Sequence, residues 1–239
     1  MAGPLTTEAV VLRSMRYGEA DRILHVYTPM RGRIGAIAKG VRRSRSRFGG
    51  RLEPFFRVEL GLHEGRSDLL TVTSAQTIAP YARLRTDADA LDGAARACDA
   101  VGRIFDSGEP HPEVFNLLCT YLALLDGDPA TATPARQLAF RLKLLLAAGL
   151  APQLAACATC GEGDHISGYS PAAGGVVCVA CEAGSFPLEP EAHTFLVEAL
   201  GHPLAASPET AMRIVRIADR AVTETVAHHG HIRLRSVAA

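Results

Sequence analysis

The run Arg22-Ile-Leu-His-Val-Tyr-Thr28, the four residues Pro29-Met-Arg-Gly32 and the run Arg33-Ile-Gly-Ala-Ile-Ala-Lys39 read as two strands joined by a turn. Both runs are rich in β-branched and apolar residues, and the Pro and Gly between them interrupt the pattern. Three more runs of the same kind flank this pair, at 7–14, 55–62 and 68–78. Turn-formers separate them: Tyr17-Gly-Glu19, the segment 40–54, and Gly61-Leu-His-Glu-Gly65. Five short strands in so short a stretch predict a small barrel, since closure removes the exposed edges of an isolated sheet. The common five-stranded form is the oligonucleotide-binding (OB) barrel. The first domain is therefore expected over residues 1–80.

Beyond Pro80 the apolar period becomes helical. Leu91, Ala94, Cys98, Val101 and Phe105 make one stripe, and Val114, Leu117, Leu118, Tyr121, Leu122 and Leu125 a second. A third runs through Leu138, Leu142, Leu145 and Leu146, and a fourth through Ala211, Ile214, Val215, Ala218, Val222 and Val226. A shorter helix is expected over 189–200. Thr86-Asp87 caps the first helix, Gly108 and Gly127 stop helices, and prolines mark the boundaries. The fold class is thus α+β and multidomain: an N-terminal barrel, then an all-α domain over 81–154 and 186–239, with an inserted module over 155–185. A small-residue linker spans 127–134.

Charge is segregated along the chain. The protein is formally neutral, yet residues 1–85 hold 15 basic and 7 acidic side chains and residues 86–239 hold 10 and 18. Between Asp21 and Glu53 there is no carboxylate, against Arg22, Arg31, Arg33, Lys39, Arg42, Arg43, Arg45, Arg47 and Arg51. Like charges held together repel, so a polyanion that neutralises them favours the cluster. These nine cations are the candidate nucleic-acid contacts; a solvated Arg-rich loop is the alternative. Phe48, inside the basic loop, is a candidate for stacking on bases. Phe55 and Phe56 are expected inside the barrel.

The inserted module carries Cys157-Ala-Thr-Cys160 and Cys178-Val-Ala-Cys181, a C-x2-C-x17-C-x2-C pattern. Two residues between thiolates let a tight knuckle aim both sulfurs at one tetrahedral ion, so a zinc ion held by Cys157, Cys160, Cys178 and Cys181 is expected. Four protein ligands close its coordination, which makes the zinc structural, worth on the order of 10 kcal/mol to a module with little core. A small hairpin is expected between the knuckles, over 166–177. Cys98 and Cys119 lie on apolar stripes and are read as core.

No P-loop, G-x-S-x-G or H-E-x-x-H motif occurs. Asp87/Asp89 and Asp126/Asp128 read as capping and turn residues. The longest apolar stretch, 142–150, is too short to span a bilayer, and the N-terminus lacks a secretory pattern. Six cysteines without an export signal point to a reducing cytoplasm. From the residues alone three readings stay open: a DNA-binding protein without turnover, a zinc-ribbon nuclease, and an RNA-binding barrel.

Glu8-Ala-Val-Val-Leu-Arg13, Tyr17-Gly-Glu-Ala-Asp-Arg-Ile-Leu24, Arg31-Gly-Arg33, Ala38-Lys-Gly-Val-Arg-Arg43 and Arg51-Leu-Glu-Pro-Phe55 occur in this order. With the helical domain and the four-cysteine insert, the chain resembles the RecO family of bacterial recombination mediators. The resemblance is densest over 8–60. It implies a cytoplasmic, nucleoid-associated, non-enzymatic protein that binds single- and double-stranded DNA and anneals complementary strands. It further implies that RecR is a partner in loading RecA onto DNA coated by single-stranded-DNA-binding protein (SSB), and that the acidic SSB tail docks on the protein. Arg136 and Arg141, on a helix whose other face is leucine-rich, are the candidate contacts for that tail.

Overall fold

Inward-pointing Ala9, Val11, Leu24, Val26, Ala36, Ala38, Val58, Leu60, Leu62 and Val72 are the interior of a closed five-stranded barrel. The computed structural model describes residues 4–238 apart from 44, 45, 47, 66 and 67. The strands are β1 (Pro4–Tyr17), β2 (Asp21–Thr28), β3 (Gly32–Ala38), β4 (Arg57–His63) and β5 (Leu70–Ala79), arranged β1-β2-β3-β5-β4. β1 has 14 residues because it serves both sides of the barrel. Its first half pairs with β4 and its second half with β2. β3 and β5 close the ring in parallel, and the other pairings are antiparallel. This is the OB architecture expected from the residues.

The connection from β3 to β4 does not lie free in solvent. Phe48 and Leu52, each 1% exposed, join the barrel core, with Val41 and Phe56 packed against it. This corrects the stacking role expected for Phe48. A phenyl ring in water costs more than one closing the barrel end, so the connection turns Phe48 inward together with Leu52.

The chain divides into two compact units, 1–130 and 131–239, and the division falls in the small-residue segment after Gly127. The first unit holds the barrel with α1 (Ala88–Ile104) and α2 (Pro112–Gly127). Asp87 caps α1 by accepting from the Ala90 N–H at 2.9 Å, and Asp126 accepts from the N–H groups of Arg83 and Leu84 at 2.7 and 3.2 Å. The buried stripe of α1 runs through Ala90, Ala94, Ala97, Cys98 and Val101. Leu91, expected on it, is one position out of phase and 39% exposed.

The second unit holds α3 (Pro134–Ala147), β6 (Ile166–Ser170), β7 (Gly175–Cys178), β8 (Phe186–Pro187), α4 (Pro190–Gly201) and α5 (Met212–His229). Arg141 on α3 and Asp219 on α5 form a buried ion pair at 3.3 Å, with side chains 3% and 4% exposed. Asp219 also accepts from Ser236 Oγ at 2.6 Å and the Val237 N–H at 3.1 Å, fastening the C-terminal segment to α5. A buried carboxylate so fully bonded avoids the desolvation penalty of a lone charge.

Candidate nucleic-acid interface and metal centre

The nine predicted cations fall into different situations once the barrel forms. Arg31 pairs with Glu64, and Arg33 donates to Gly102 O at 3.0 Å and to His25 Nδ1 at 3.3 Å. Both sit at the start of β3. Lys39 follows the other end, six residues on from Arg33, which in a strand is roughly 20 Å away. The basic run is therefore not one patch. Arg22 is half-buried, donating to Ser14 Oγ at 3.2 Å and Glu53 Oε1 at 3.1 Å. Lys39, Arg42, Arg43 and Arg51 are exposed. Arg51 reaches Phe48 O at 3.3 Å, and Arg45 and Arg47 lie outside the described residues.

The exposed group is held to the tip of the β1–β2 hairpin. The Arg42 N–H donates to Ala20 O at 3.0 Å and its guanidinium to Glu19 O at 3.2 Å. The Gly40 N–H donates to Asp21 Oδ1 at 2.8 Å, and φ at Gly40 is +70°, which a β-carbon would strain. The hairpin adds Arg13 and Arg16, exposed and outside the predicted set. Arg16 stands directly opposite Arg22 across the strands, a like-charge pairing that Glu53, bonded to Arg22, offsets on one side only. The signal for both was present: Arg13 follows buried Leu12, and Arg16 lies near the strand end, where a side chain escapes burial. Beside them, burial first and then the Arg33 and Arg13 charges hold the His25 imidazole below its usual range.

In the second unit the four predicted cysteines converge. Their Sγ atoms all lie within 4.8 Å of one another, and Cys160 and Cys178 are 3.7 Å apart. A tetrahedral zinc with bonds of ~2.3 Å sets its sulfurs about 3.8 Å apart, so the quartet has the size of such a site. Gly161 and Gly184, with φ of +81° and +78°, turn the chain after each pair. Backbone N–H groups of Cys178 and Cys160 hold the Cys157 thiol down to about 6. The Cys160 sulfur, then burial, push Cys181 up to about 12. One thiolate forms readily and opposes the next, so ionising all four calls for a cation. Among the described residues this is the one His/Cys/Asp/Glu group fit to hold a metal.

The module is not an isolated insert. Tyr169 on β6 is fully buried and bonds Thr225 of α5 at 2.7 Å, and Arg220 of α5 stacks 4.0 Å from the Phe186 ring. Only the knuckle end depends on a small cluster of its own, Cys157, Val177 and Cys178 with Ile166 and Cys181.

The two predicted tail contacts are not equivalent. Arg141 is buried against Asp219, which corrects its placement on the surface. The apolar face of α3 is wide enough to include it, and its charge is satisfied internally. Arg136 is 12% exposed, donates to Thr131 O at 2.9 Å and lies 3.7 Å from Glu209. The neighbouring groove, floored by Phe195 between Pro190 and Pro208, is rimmed by Glu191, Glu198 and Glu209. Its walls carry the wrong sign for an acidic peptide.

Family comparison agrees with this architecture. The model described as Recombination protein O N terminal matches residues 1–81, and that described as Recombination protein O C terminal matches 85–237. The chain belongs to the RecO family. Similar RecO proteins, each named DNA repair protein RecO, come from Anaeromyxobacter sp. (strain K), Rubrobacter xylanophilus and Nocardioides sp.. The first is 38% identical over 92% of this chain and 89% of its own length. The second is 39% identical over 88% of both, and the third 38% over 97% and 96%. Among the described residues, no helix of this RecO-family chain is long and apolar enough to cross a membrane.

Proposed function

We propose that this RecO-family protein is a DNA-binding recombination mediator that anneals complementary single strands and acts with RecR in loading RecA onto SSB-coated DNA. The observation that carries the reading is the set of exposed cations Arg16, Lys39, Arg42 and Arg43 around the β1–β2 hairpin tip of an OB barrel, with exposed Arg13 farther along β1. Annealing requires that repulsion between two phosphate backbones be lowered while base edges stay free. Arginines do this by releasing counterions, without reading sequence. Arg22 and Arg51 border the site and Arg31 and Arg33 lie toward the other end of β3, their guanidinium groups partly committed within the barrel unit. Zn²⁺ is the ion proposed for Cys157, Cys160, Cys178 and Cys181, where it would supply fold and no open coordination position. For the SSB tail, Arg136 is the remaining cation of the predicted pair, and a tail carboxylate there would have to displace Glu209.

The deciding experiment is annealing of complementary oligonucleotides coated with SSB, without nucleotide, with and without RecR. Annealing faster than the spontaneous rate supports the reading. Protein that binds DNA but leaves the rate unchanged refutes the annealing activity, and strand cleavage with added metal would replace it by a nuclease.

A further inference from the structure

Tyr17 is 54% exposed. Among the described residues it is the only aromatic side chain that is; the other tyrosines and the phenylalanines are buried, except for half-buried Phe56. The chain has no Trp. One exposed ring is ordinary by itself, so it is the surroundings of Tyr17 that decide its role.

Its surroundings give that role a chemistry. The strand registers place Leu24 opposite both Ser14 and Ala36, and Leu24 and Ala36 face the barrel interior. Residues one step away therefore face outward. Met15, Ile23 and Ile37 pair in one outward row across β1, β2 and β3, and all three are half-buried. Arg13, His25 and Gly35 form the row before it, and Tyr17 with Asp21 the row after it. Tyr17 thus ends an apolar strip on the outer barrel face, with Arg13 on one side and Arg16, Lys39, Arg42 and Arg43 around the hairpin tip. Of the two carboxylates at that tip, Asp21 accepts from the Gly40 N–H, and Glu19 is exposed. An apolar strip ending in a free ring and bordered by cations suits unstacked bases with their phosphates alongside.

We infer that Tyr17 is the base-stacking residue of the barrel and makes the site prefer single-stranded DNA whose bases are unstacked. This rests on the DNA-binding reading above. A base lying on the Tyr17 ring keeps its pairing edge free for an incoming strand, whereas a duplex offers no free base face. Duplex binding then depends on the cations alone.

The test measures affinity for oligo-dT, for an abasic oligomer of equal length and for duplex, using wild type, Tyr17→Phe and Tyr17→Ala. Wild type and Tyr17→Phe should prefer oligo-dT over the abasic strand by roughly five- to a hundredfold. Tyr17→Ala should lose that preference while keeping abasic and duplex affinity and the salt slope. An oligo-dT to abasic ratio unchanged in Tyr17→Ala overturns the inference and leaves the DNA-binding reading standing. Failure of wild type to bind any of the three at low salt removes the reading itself.

Discussion

Replacing Arg16, Lys39, Arg42 and Arg43 together with Ala should change how DNA binding depends on salt, whereas replacing Arg22, Arg31 and Arg33 should not do so to the same degree. The first four side chains are exposed, and among the described residues none is in an ion pair. The second three are tied to Glu53, Glu64 and Gly102 O. Each phosphate neutralised on a single strand contributes about 0.7 to the slope of log K against log salt. Four lost contacts lower the slope by about 2.8. Between 50 and 200 mM salt, a change of ~0.6 in log concentration, that slope difference is worth roughly 50-fold in affinity. The triple variant should instead lose stability, by up to about 1 kcal/mol for each half-exposed ion pair. Anisotropy titrations of a labelled oligonucleotide at four salt concentrations give the slopes, and urea unfolding gives the stabilities. Equal slopes for wild type and the quadruple variant would refute the assignment of these four as phosphate contacts. A larger slope change in the triple variant would move the phosphate contacts to Arg22, Arg31 and Arg33.

Three further outcomes follow from the geometry. Arg141→Ala leaves Asp219 buried without its counter-charge and should cost about 3–5 kcal/mol in urea unfolding; retention of wild-type stability would contradict the buried pair. Because the folded-state pKa of His25 is depressed, unfolded chain takes up a proton first as pH falls below about 6.5 and folded chain resists it. Wild type should therefore lose stability between that pH and the folded pKa, relative to His25→Gln, with no difference in slope near pH 8; parallel curves would disprove the cause assigned. Metal analysis should find one Zn²⁺ per chain, and a chelator should raise hydrogen exchange at the 157–165 and 178–185 knuckles while Tyr169 and the barrel strands stay protected. Exchange rising equally across the hairpin would mean that its anchor to α5 does not hold it without metal.

What the residues disclosed by themselves was everything governed by neighbours close in sequence. Alternation marked the five strands, Asp87 marked a helix start, and the two C-x2-C pairs marked four cysteines that converge, because knuckles, caps and pleats are set within a few residues. The charge asymmetry located a basic barrel for the same reason: net charge is additive along the chain. What tertiary structure decided was which cations are free, since Arg22, Arg31, Arg33 and Arg141 are engaged by groups 31, 33, 69 and 78 residues away. It also decided the fate of two aromatics. Phe48 sits amid arginines in sequence and is drawn into the barrel end; Tyr17 sits in a strand and is left in water beyond the last core row. Burial depends on where the barrel closes, which is a property of all five strands together and of no local stretch.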